Sequence, residues 1–380
     1  MTIVGLVVEY NPFHNGHLWQ IQQVKQKLHP ECLVVVMSGN FVQRGEVALV
    51  DKWQRAQMAL AAGVDLVIEL PVYGALQPAD LFAEEAVRLL RELQVTDLAF
   101  GTEKPALDYW KLGQQLNELT TEPALFKDYR NTYATQFNQL LQEQLGFMLT
   151  KPNELLGVAY AQAAGKLDYA VNLLPLPRIG GVQHDDPRLL PYFSSASAIR
   201  TAVLNNQNYA TAVPPFVQQQ LSNNALFNEQ LFPYLKYRLL TANLSELSQI
   251  YQMSEGLQYK LQQEITNATD FQDFLYKIKS KRFTFARLRR LCLYTLLNIT
   301  TEQMQEMRAK RYLHVLGFNA RGRQQLHNIR QQVTLPVVTK VTQKMGQKNG
   351  LMAKEIQVDQ MLQLLGVPEQ NFGRQPIMRK

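Results

Sequence analysis

The sequence predicts an α/β protein in which a parallel sheet covered by helices is followed by a mainly helical domain. Over residues 1–100, short continuous apolar runs alternate with stretches of helical spacing. From about residue 210 to about residue 315 the strand pattern is absent, and Leu, Gln and Tyr recur at helical spacing. Apolar strands joined by helices are typical of a parallel sheet buried on both faces.

The elements of the first hundred residues follow from local patterns. Asp51 is placed to cap a helix, and Pro71 ends a strand. The predicted strands span 3–9, 33–37, 65–70 and 96–100, and the predicted helices span 16–28, 51–62 and 79–93. Right-handed crossovers place the carboxyl ends of these strands on one edge, where such sheets bind ligands. Three loops leave that edge, at residues 11–16, 38–46 and 101–104.

The domain organisation is predicted from where these patterns change. Strand-like runs return at 169–174 and 177–179, so the α/β part is expected to span residues 1–205, with a helical insertion at about 106–166. A basic helical domain is predicted for residues 206–330. The tail, residues 331–380, has a mixed pattern and receives no assignment.

The amino-acid composition limits which classes of protein the chain can belong to. With 380 residues, 46% hydrophobic and 19% charged, the chain has an ordinary globular composition. Cys32 and Cys292 both lie in apolar runs and are predicted to be buried free thiols, which argues against a cysteine metal site. The N-terminus lacks the pattern of a signal peptide, and no apolar run has the roughly eighteen residues of a membrane span. The sequence therefore predicts a soluble, cytoplasmic protein without a membrane partner.

Charge is distributed unevenly along the chain. Residues 1–270 carry a net charge of −7, residues 271–330 carry +10, and residues 331–380 carry +4. Positive charge concentrated in the last third would attract a polyanion such as a nucleic acid. A solvated basic helix face that binds nothing is the alternative interpretation.

The motif that carries chemistry is His14-Asn15-Gly16-His17, at the exit of the first strand and the start of a helix. Neither a P-loop nor a glycine-rich dinucleotide fingerprint is present. A helix N-terminus offers unpaired N–H groups and a partial positive charge to a phosphate, and Gly16 permits close approach. Two imidazoles can donate hydrogen bonds to phosphate oxygens while charge develops during adenylyl transfer. A metal site is not predicted here, because the histidine pair has no third ligand nearby.

A second segment, residues 194–200, combines serines with an arginine. Ser195, Ser197 and Arg200 at a helix start could hold phosphates through hydroxyls, backbone N–H groups and a guanidinium. A plain helix N-cap is the alternative interpretation. His184-Asp185-Asp186 would suit a metal phosphohydrolase, but the further ligands that such chemistry needs are not found. A serine hydrolase is disfavoured because no G-x-S-x-G elbow exists.

Longer segments resemble the bacterial tRNA(Met) cytidine acetate ligase family, within the HxGH nucleotidyltransferase superfamily. The resemblance covers about residues 2–330, and its motifs occur in the family's order. They lie at residues 8–17, 37–46, 65–71, 100–103, 152–157, 281–284 and 287–288. The sequence departs from the family pattern at residues 180–183 and at Ala198, two places that concern the phosphate and acyl contacts.

The resemblance implies a Rossmann-like domain that binds ATP and activates acetate as acetyl-adenylate. The acetyl group would then pass to N4 of the wobble cytidine in the anticodon of elongator tRNA(Met). The implied ATP-binding residues are Val7, Val8, Glu9, Tyr10, Asn11, Pro12, Phe13, His14, Asn15, Gly16, His17, Gly101, Asn153, Arg178, Ser195 and Ser197. The residues expected to neutralise charge in catalysis are His14, His17, Arg178 and Arg200. Mg²⁺ is expected on the ATP phosphates, with no acidic ligand identified.

The basic segment supplies the expected RNA contacts. These are Lys279, Lys281, Arg282, Arg287, Arg289 and Arg290. Most of the interleaved apolar residues have helical spacing and are expected in the core. Arg44 could face ATP or RNA. Two other functions stay open: a small-molecule nucleotidyltransferase that joins AMP or CMP to a phosphate ester, and an RNA-binding protein without catalysis.

Overall fold

A computed structural model describes residues 2–119, 138, 142–143, 148–149, 151–178, 186–221 and 225–379. Within them the strands are β1 (Ile3–Val8), β2 (Cys32–Ser38), β3 (Phe41–Val42), β4 (Glu46–Val47), β5 (Leu66–Leu70), β6 (Asp97–Thr102), β7 (Asn172–Pro177), β8 (Leu313–Phe318), β9 (Val337–Val338) and β10 (Ile377–Met378).

The helices described in the first two hundred or so residues are α1 (Asn15–Leu28), α2 (Lys52–Ala61), α3 (Val72–Ala75), α4 (Ala79–Glu92), α5 (Tyr109–Leu119), α6 (Pro152–Lys166), α7 (Ala196–Leu204) and α8 (Pro215–Leu221). Those that follow are α9 (Asn228–Thr241), α10 (Leu244–Ser248), α11 (Leu257–Ile265), α12 (Phe271–Ile278), α13 (Phe285–Leu296), α14 (Thr301–Ala309), α15 (Ala320–Asn328), α16 (Gln343–Gly346) and α17 (Ala353–Gln360).

The main sheet has the strand order β10-β8-β5-β2-β1-β6-β7, with β9 beside β8. Its pairs are parallel except for β5 and β8, which run antiparallel. The order reverses direction at β1, so the crevice of the sheet opens at the carboxyl ends of β1 and β6. The antiparallel hairpin β3–β4 stands apart from this sheet and projects from its carboxyl edge.

The predicted α/β class with a parallel sheet is confirmed, and local rules account for it. The predicted strands correspond to β1, β2, β5 and β6, and the predicted helices to α1, α2 and α4. Asp51 caps α2 as expected, because its Oδ1 accepts a hydrogen bond of 2.9 Å from the backbone N–H of Gln54. Cys32 and Cys292 are buried free thiols, and burial raises the pKa of each to about 12. Among the described helices, none combines the length and the apolar character of a membrane span.

Two strands differ from the prediction. Where two runs are predicted, at 169–174 and 177–179, the structure has one strand, β7, which begins at Asn172 and includes Pro175 and Pro177; residue 179 lies outside the described residues. β7 pairs only with β6 and lies at the sheet edge, where a missing N–H is tolerated. β8 lies inside the range predicted to be helical; its partner β5 is about 245 residues away in sequence, so its pairing has no local signal. The domain limits at residues 205 and 330 stay predictions.

A buried charge network joins the C-terminal segment to the sheet. The ammonium of Lys52 lies 2.9 Å from Glu69 Oε1 on β5 and 2.7 Å from Asp359 Oδ2 on α17. All three side chains are almost fully shielded from solvent. Burial alone would raise the pKa of Glu69, but Lys52 and His314 outweigh it and hold the pKa below its usual range. Glu355 accepts from the backbone N–H of Val72, and burial raises its pKa.

We expect Lys52→Met to lower the free energy of unfolding by about 3–5 kcal/mol, because it removes the ammonium that neutralises two buried carboxylates. Urea denaturation at pH 7 measures this loss. Lys52 lowers the pKa of Glu69, so without the lysine Glu69 would take up a proton more readily and the loss should shrink as the pH falls towards 5. The exposed Lys27→Met is the control and should change stability by less than about 0.5 kcal/mol. Equal losses in both variants would contradict the network's role.

Candidate active site

A cavity of about 370 Å³ opens at the carboxyl ends of β1 and β6. Its walls come from β1 and the loop after it, from the β3–β4 hairpin, and from the starts of α6 and α7. A larger cavity of about 700 Å³ lies between α14 and the C-terminal segment and shares no lining residue with the first. We assign function to the smaller cavity, because parallel sheets bind ligands at the carboxyl ends of their strands.

The two histidines of the motif form a stacked pair, with ring centroids 3.7 Å apart. His14 Nδ1 accepts a hydrogen bond of 3.0 Å from the Gly16 N–H, and His17 Nδ1 accepts one of 3.3 Å from the His14 N–H. A neutral ring that accepts at Nδ1 carries its proton at Nε2. The backbone therefore selects the tautomer in which both Nε2 atoms are donors, and both rings line the cavity.

Other residues of the motif hold this pair in place. Tyr10 and Phe13 are buried, and the Tyr10 ring packs edge-on against His17 at 4.9 Å between centroids. Tyr10 has a φ of 49°, a left-handed conformation that costs a bulky residue on the order of 1–3 kcal/mol. The side chain of Asn15 donates to the carbonyls of Tyr192 and Thr211. A Cβ at Gly16 would lie 2.9 Å from the His14 ring, so the glycine makes room for that ring.

A buried arginine fixes the loops after β1 and β2. Arg55 donates to the backbone carbonyls of Val50 at 3.0 Å and of Glu9 and Ser38 at 2.8 Å, and also to that of Gly39. Burial lowers the pKa of Arg55 to about 10, so the group stays charged near neutral pH. One guanidinium thus satisfies carbonyls from both strand ends and from the loop that enters α2.

Arg200 connects three parts of the cavity. It reaches from α7 to donate to the Asn11 carbonyl at 2.8 Å, and its Nη2 lies 3.0 Å from Glu46 Oε2 on the hairpin. Ser197 lines the cavity beside it. Ser195 is instead the N-cap of α7: its Oγ accepts from the Ala198 N–H at 3.0 Å and donates to the Asp186 carbonyl. The plain-cap interpretation therefore describes Ser195, whereas Ser197 and Arg200 face the cavity.

The opposite wall of the cavity contains residues that are far from the histidine motif in sequence and that the family resemblance implies in ATP binding. Gly101, the second-last residue of β6, lies beside Arg178, since a Cβ on the glycine would lie 3.6 Å from Arg178 Cγ. Glu103 accepts from Asn153 Nδ2 at 2.8 Å and lies 3.5 Å from Arg178 Nε. Burial lowers the pKa of Arg178, and Glu103 partly opposes that effect. Glu103 belongs to the family motif at residues 100–103 but has no role predicted from the sequence; the structure shows that it contacts two cavity residues, Asn153 and Arg178.

Arg44, left open by the sequence, lines this cavity together with Gln43 and Glu9. The Glu9 carboxylate accepts from the Gln43 N–H at 2.7 Å, and burial raises the pKa of Glu9. Gln20 and Tyr160 also line the cavity and lack a sequence signal of their own. His184 and Asp185 lie outside the described residues.

The basic residues of the last third lie in different environments. Arg282 and Arg287 flank the buried ring of Phe283, with Arg287 4.4 Å from its centroid. Arg289 reaches within 3.5 Å of Glu46 Oε1. Arg290 differs from the surface position expected of an RNA contact: it is 5% exposed and donates to the Gln43 carbonyl at 2.9 Å. Its side chain attaches the hairpin to α13.

Within the described residues, one carboxylate group has spacing suitable for a metal ion, formed by Glu69, Glu355 and Asp359. The Lys52 ammonium bonds to two of these carboxylates and already supplies their positive partner. The group is buried away from the cavity. Nothing in its surroundings calls for an additional cation.

Comparison with known proteins identifies the family. The profile of the HIGH Nucleotidyl Transferase family matches residues 1–375. A tRNA(Met) cytidine acetate ligase of Latilactobacillus sakei subsp. sakei (strain 23K) is 45% identical, over 99% of this chain and 97% of that protein. The protein of that name from Lactobacillus gasseri is 44% identical, over 99% of each chain. The chain belongs to the tRNA(Met) cytidine acetate ligase family. The family resemblance predicted from its motifs is thereby confirmed.

Solved structures of this family show the same architecture. Thermotoga maritima TmcAL in its apo form superimposes with a TM-score of 0.89 at 29% identity, covering 100% of this chain and 99% of that one. The structure of that protein bound with alpha-thio ATP gives a TM-score of 0.86 at 29% identity and the same coverage. The family's nucleotidyl transferase fold thus extends over the whole chain.

The hairpin's contact with α13 depends on Gly45, whose φ is 78°. A Cβ there would lie 2.5 Å from the Arg290 backbone nitrogen, so Gly45→Ala should combine a clash with left-handed strain. We expect it to lower the free energy of unfolding by more than about 2 kcal/mol. Gly373→Ala is the matched control, since Gly373 has a φ of 72° with no atom within 4 Å and should show only the backbone strain. Equal effects in urea titrations would contradict the close approach.

Proposed function

We propose that this chain is an ATP-dependent ligase that activates acetate and acetylates N4 of the wobble cytidine of elongator tRNA(Met). The observation that carries the proposal is the stacked His14–His17 pair, fixed in its tautomer at the carboxyl edge of the sheet. The names of its full-length relatives and the ATP analogue bound by the Thermotoga maritima protein support it. Such an enzyme would work in the cytoplasm, where its tRNA is found.

In the first step an acetate oxygen attacks the α-phosphorus of ATP. The new oxygen–phosphorus bond forms as the bond to pyrophosphate breaks, giving acetyl-adenylate and pyrophosphate. This step needs no enzymic nucleophile; it needs alignment and neutralisation of charge on the phosphate oxygens. The Nε2 donors of His14 and His17 would face those oxygens, and Arg178 and Arg200 would neutralise charge from opposite walls.

ATP would lie along β1 and the motif that follows, from Val7 to His17. Gly101 leaves the wall beside Arg178 open, and Asn153 is oriented by Glu103. Arg44 would face the ATP phosphates in this arrangement, because it lines the same cavity. Ser197 would contact the phosphates directly, whereas Ser195 would act through its cap on α7.

In the second step the N4 amine of cytidine attacks the acetyl carbonyl carbon. The carbon–nitrogen bond forms, the bond to AMP breaks, AMP leaves with the electron pair, and the nitrogen releases a proton. Lys279, Lys281, Arg282, Arg287 and Arg289 would hold the anticodon region of the tRNA through its phosphates. Arg290 is left out of this set because its side chain is buried.

Mg²⁺ is proposed as a companion of the ATP phosphates. The carboxylates that line the cavity are already engaged, Glu9 by the Gln43 N–H and Glu46 by Arg200 and Arg289. The described residues thus offer no ready ligand set, and the ion would be held by phosphates and water. Neither step above depends on it. A small-molecule nucleotidyltransferase is not favoured, since it would leave the basic segment and the names of the relatives unexplained.

We expect the wild-type protein, with ATP, acetate and tRNA, to form N4-acetylcytidine, and His17→Ala to slow acetate-dependent adenylation by roughly 10²–10³, as for other lost transition-state donors. Nucleoside analysis of digested tRNA and pyrophosphate release measure the two reactions. tRNA affinity should stay unchanged in His17→Ala, because the histidine lies at the ATP end of the site.

His327→Ala, an exposed histidine on α15, is the matched control and should retain full activity. Wild-type protein that forms no N4-acetylcytidine would overturn the proposal. Nucleotide transfer that needs no tRNA would favour the small-molecule enzyme. Full activity in His17→Ala would remove the histidine pair from catalysis.

A further inference from the structure

A second cavity, of about 180 Å³, adjoins the ATP cavity. The two share Glu46, Ser197 and Arg200 as lining residues. The second cavity lies between α7, the start of α9, and the facing helices α12 and α13. Its volume is about six times the roughly 30 Å³ that one water occupies in the liquid, which suits a single pyrimidine ring.

The partition between the two cavities consists of side chains. Glu46 places one carboxylate oxygen 3.0 Å from Arg200 and the other 3.5 Å from Arg289. Arg200 lines both cavities, whereas Arg289, on α13, lines the second cavity and not the first. A bridge of three side chains can rearrange without movement of the backbone, so a reacting group can cross at this point.

The lining of the second cavity matches a nucleobase. Phe227 and Phe271 provide apolar surface, and Glu229, Gln272 and Arg289 provide polar groups. A cytosine ring presents a flat apolar face and an edge that both donates and accepts hydrogen bonds. The Gln272 amide can donate and accept on such an edge, and unpaired bases characteristically pack on aromatic rings.

Two aromatic rings, those of Tyr276 and Phe285, continue outward from this cavity with Lys279 beside them. We call these three residues the aromatic strip. Tyr276 follows Gln272 by one helical turn on α12, and Phe285 precedes Arg289 by one turn on α13. The rings of Tyr276 and Phe285 are 5.4 Å apart, and Lys279 Nζ lies 5.5 Å from the Phe285 centroid. Tyr276 is 62% exposed, so one side of its ring pair is open to a stacking partner.

We propose that the second cavity receives the unstacked acceptor base of the RNA, and that the aromatic strip stacks the nucleotide next to it. The inference rests on the proposed function, since it takes an RNA cytidine as the acceptor. The base would enter from the strip, lie against Phe227 and Phe271, and direct its exocyclic amine past Glu46 to the acetyl-adenylate. Because the two cavities and the aromatic strip adjoin one another, the acceptor base can reach the activated acetate along a single path.

Two variants test this without touching the ATP cavity. Gln272→Trp fills the second cavity, and Tyr276→Ala removes the exposed ring of the strip. Tyr237→Ala is the matched control: it is 70% exposed on α9 and lies about 12 Å along that helix from Glu229, at 1.5 Å per residue. Each protein is assayed for acetate-dependent ATP–pyrophosphate exchange without RNA, for acetylation of tRNA, and for tRNA affinity by fluorescence anisotropy.

We expect exchange within about twofold of wild type in all three variants, which also shows that they are folded. Gln272→Trp should lower tRNA acetylation at least tenfold. Tyr276→Ala should weaken tRNA binding by about tenfold, in line with the loss of one base–aromatic stack. Tyr237→Ala should match wild type in every assay.

The inference would be overturned if Gln272→Trp acetylated tRNA at the wild-type rate and Tyr276→Ala kept its tRNA affinity. That result would leave the proposed function intact. A loss of exchange in Gln272→Trp would also overturn it, because the cavity would then serve the adenylation step. Wild-type protein that exchanges pyrophosphate yet never acetylates tRNA would overturn the proposed acceptor, and this inference with it.

Discussion

The active-site edge depends on one buried guanidinium, that of Arg55. It donates to carbonyls at the ends of β1 and β2 and in the loop before α2, all within one shielded volume. Hydrogen bonds from a charged donor each contribute about 1.5–3 kcal/mol. The loop that carries the histidine pair and the loop that carries the hairpin therefore hold fixed positions relative to each other.

At this edge of the sheet, neighbouring groups orient the side chains of the candidate active site. Backbone N–H groups select the histidine tautomers, Glu103 orients Asn153 and Arg178, and Arg290 holds the hairpin through the Gln43 carbonyl. Such prior ordering suits a reaction in which the protein supplies position and charge and no covalent partner. Glu46 stands where the α/β part and the helical part meet, paired with an arginine from each.

Much of the fold could be predicted from the sequence because it follows from local pattern. The apolar runs of β1, β2, β5 and β6, the Asp51 cap, and the motif between β1 and α1 need only neighbouring residues to be recognised. β8 could not, since its strand character depends on pairing with β5 far away in the chain.

The same distinction applies to the site. The spacing of His14 and His17 predicted that the two rings lie together. The burial of Arg290 and the hydrogen bond from Asn153 to Glu103 depend on contacts between residues far apart in the chain, which local patterns do not indicate. Ser195 shows a further limit of pattern reasoning. A serine that caps a helix and a serine that binds phosphate look alike in sequence, and only the direction of the side chain separates them.

The network around Lys52 has a consequence for biosynthesis. Asp359, on which the Lys52 ammonium depends, is synthesised some three hundred residues after it, and β8 covers the free edge of β5 from a similar distance. While the ribosome is still translating the middle of the chain, β5 lacks its β8 partner and Lys52 lacks one of its two carboxylates. Unpaired strand edges invite association with other chains. The catalytic edge is thus encoded first but reaches its final stability last, when the C-terminal segment has been released.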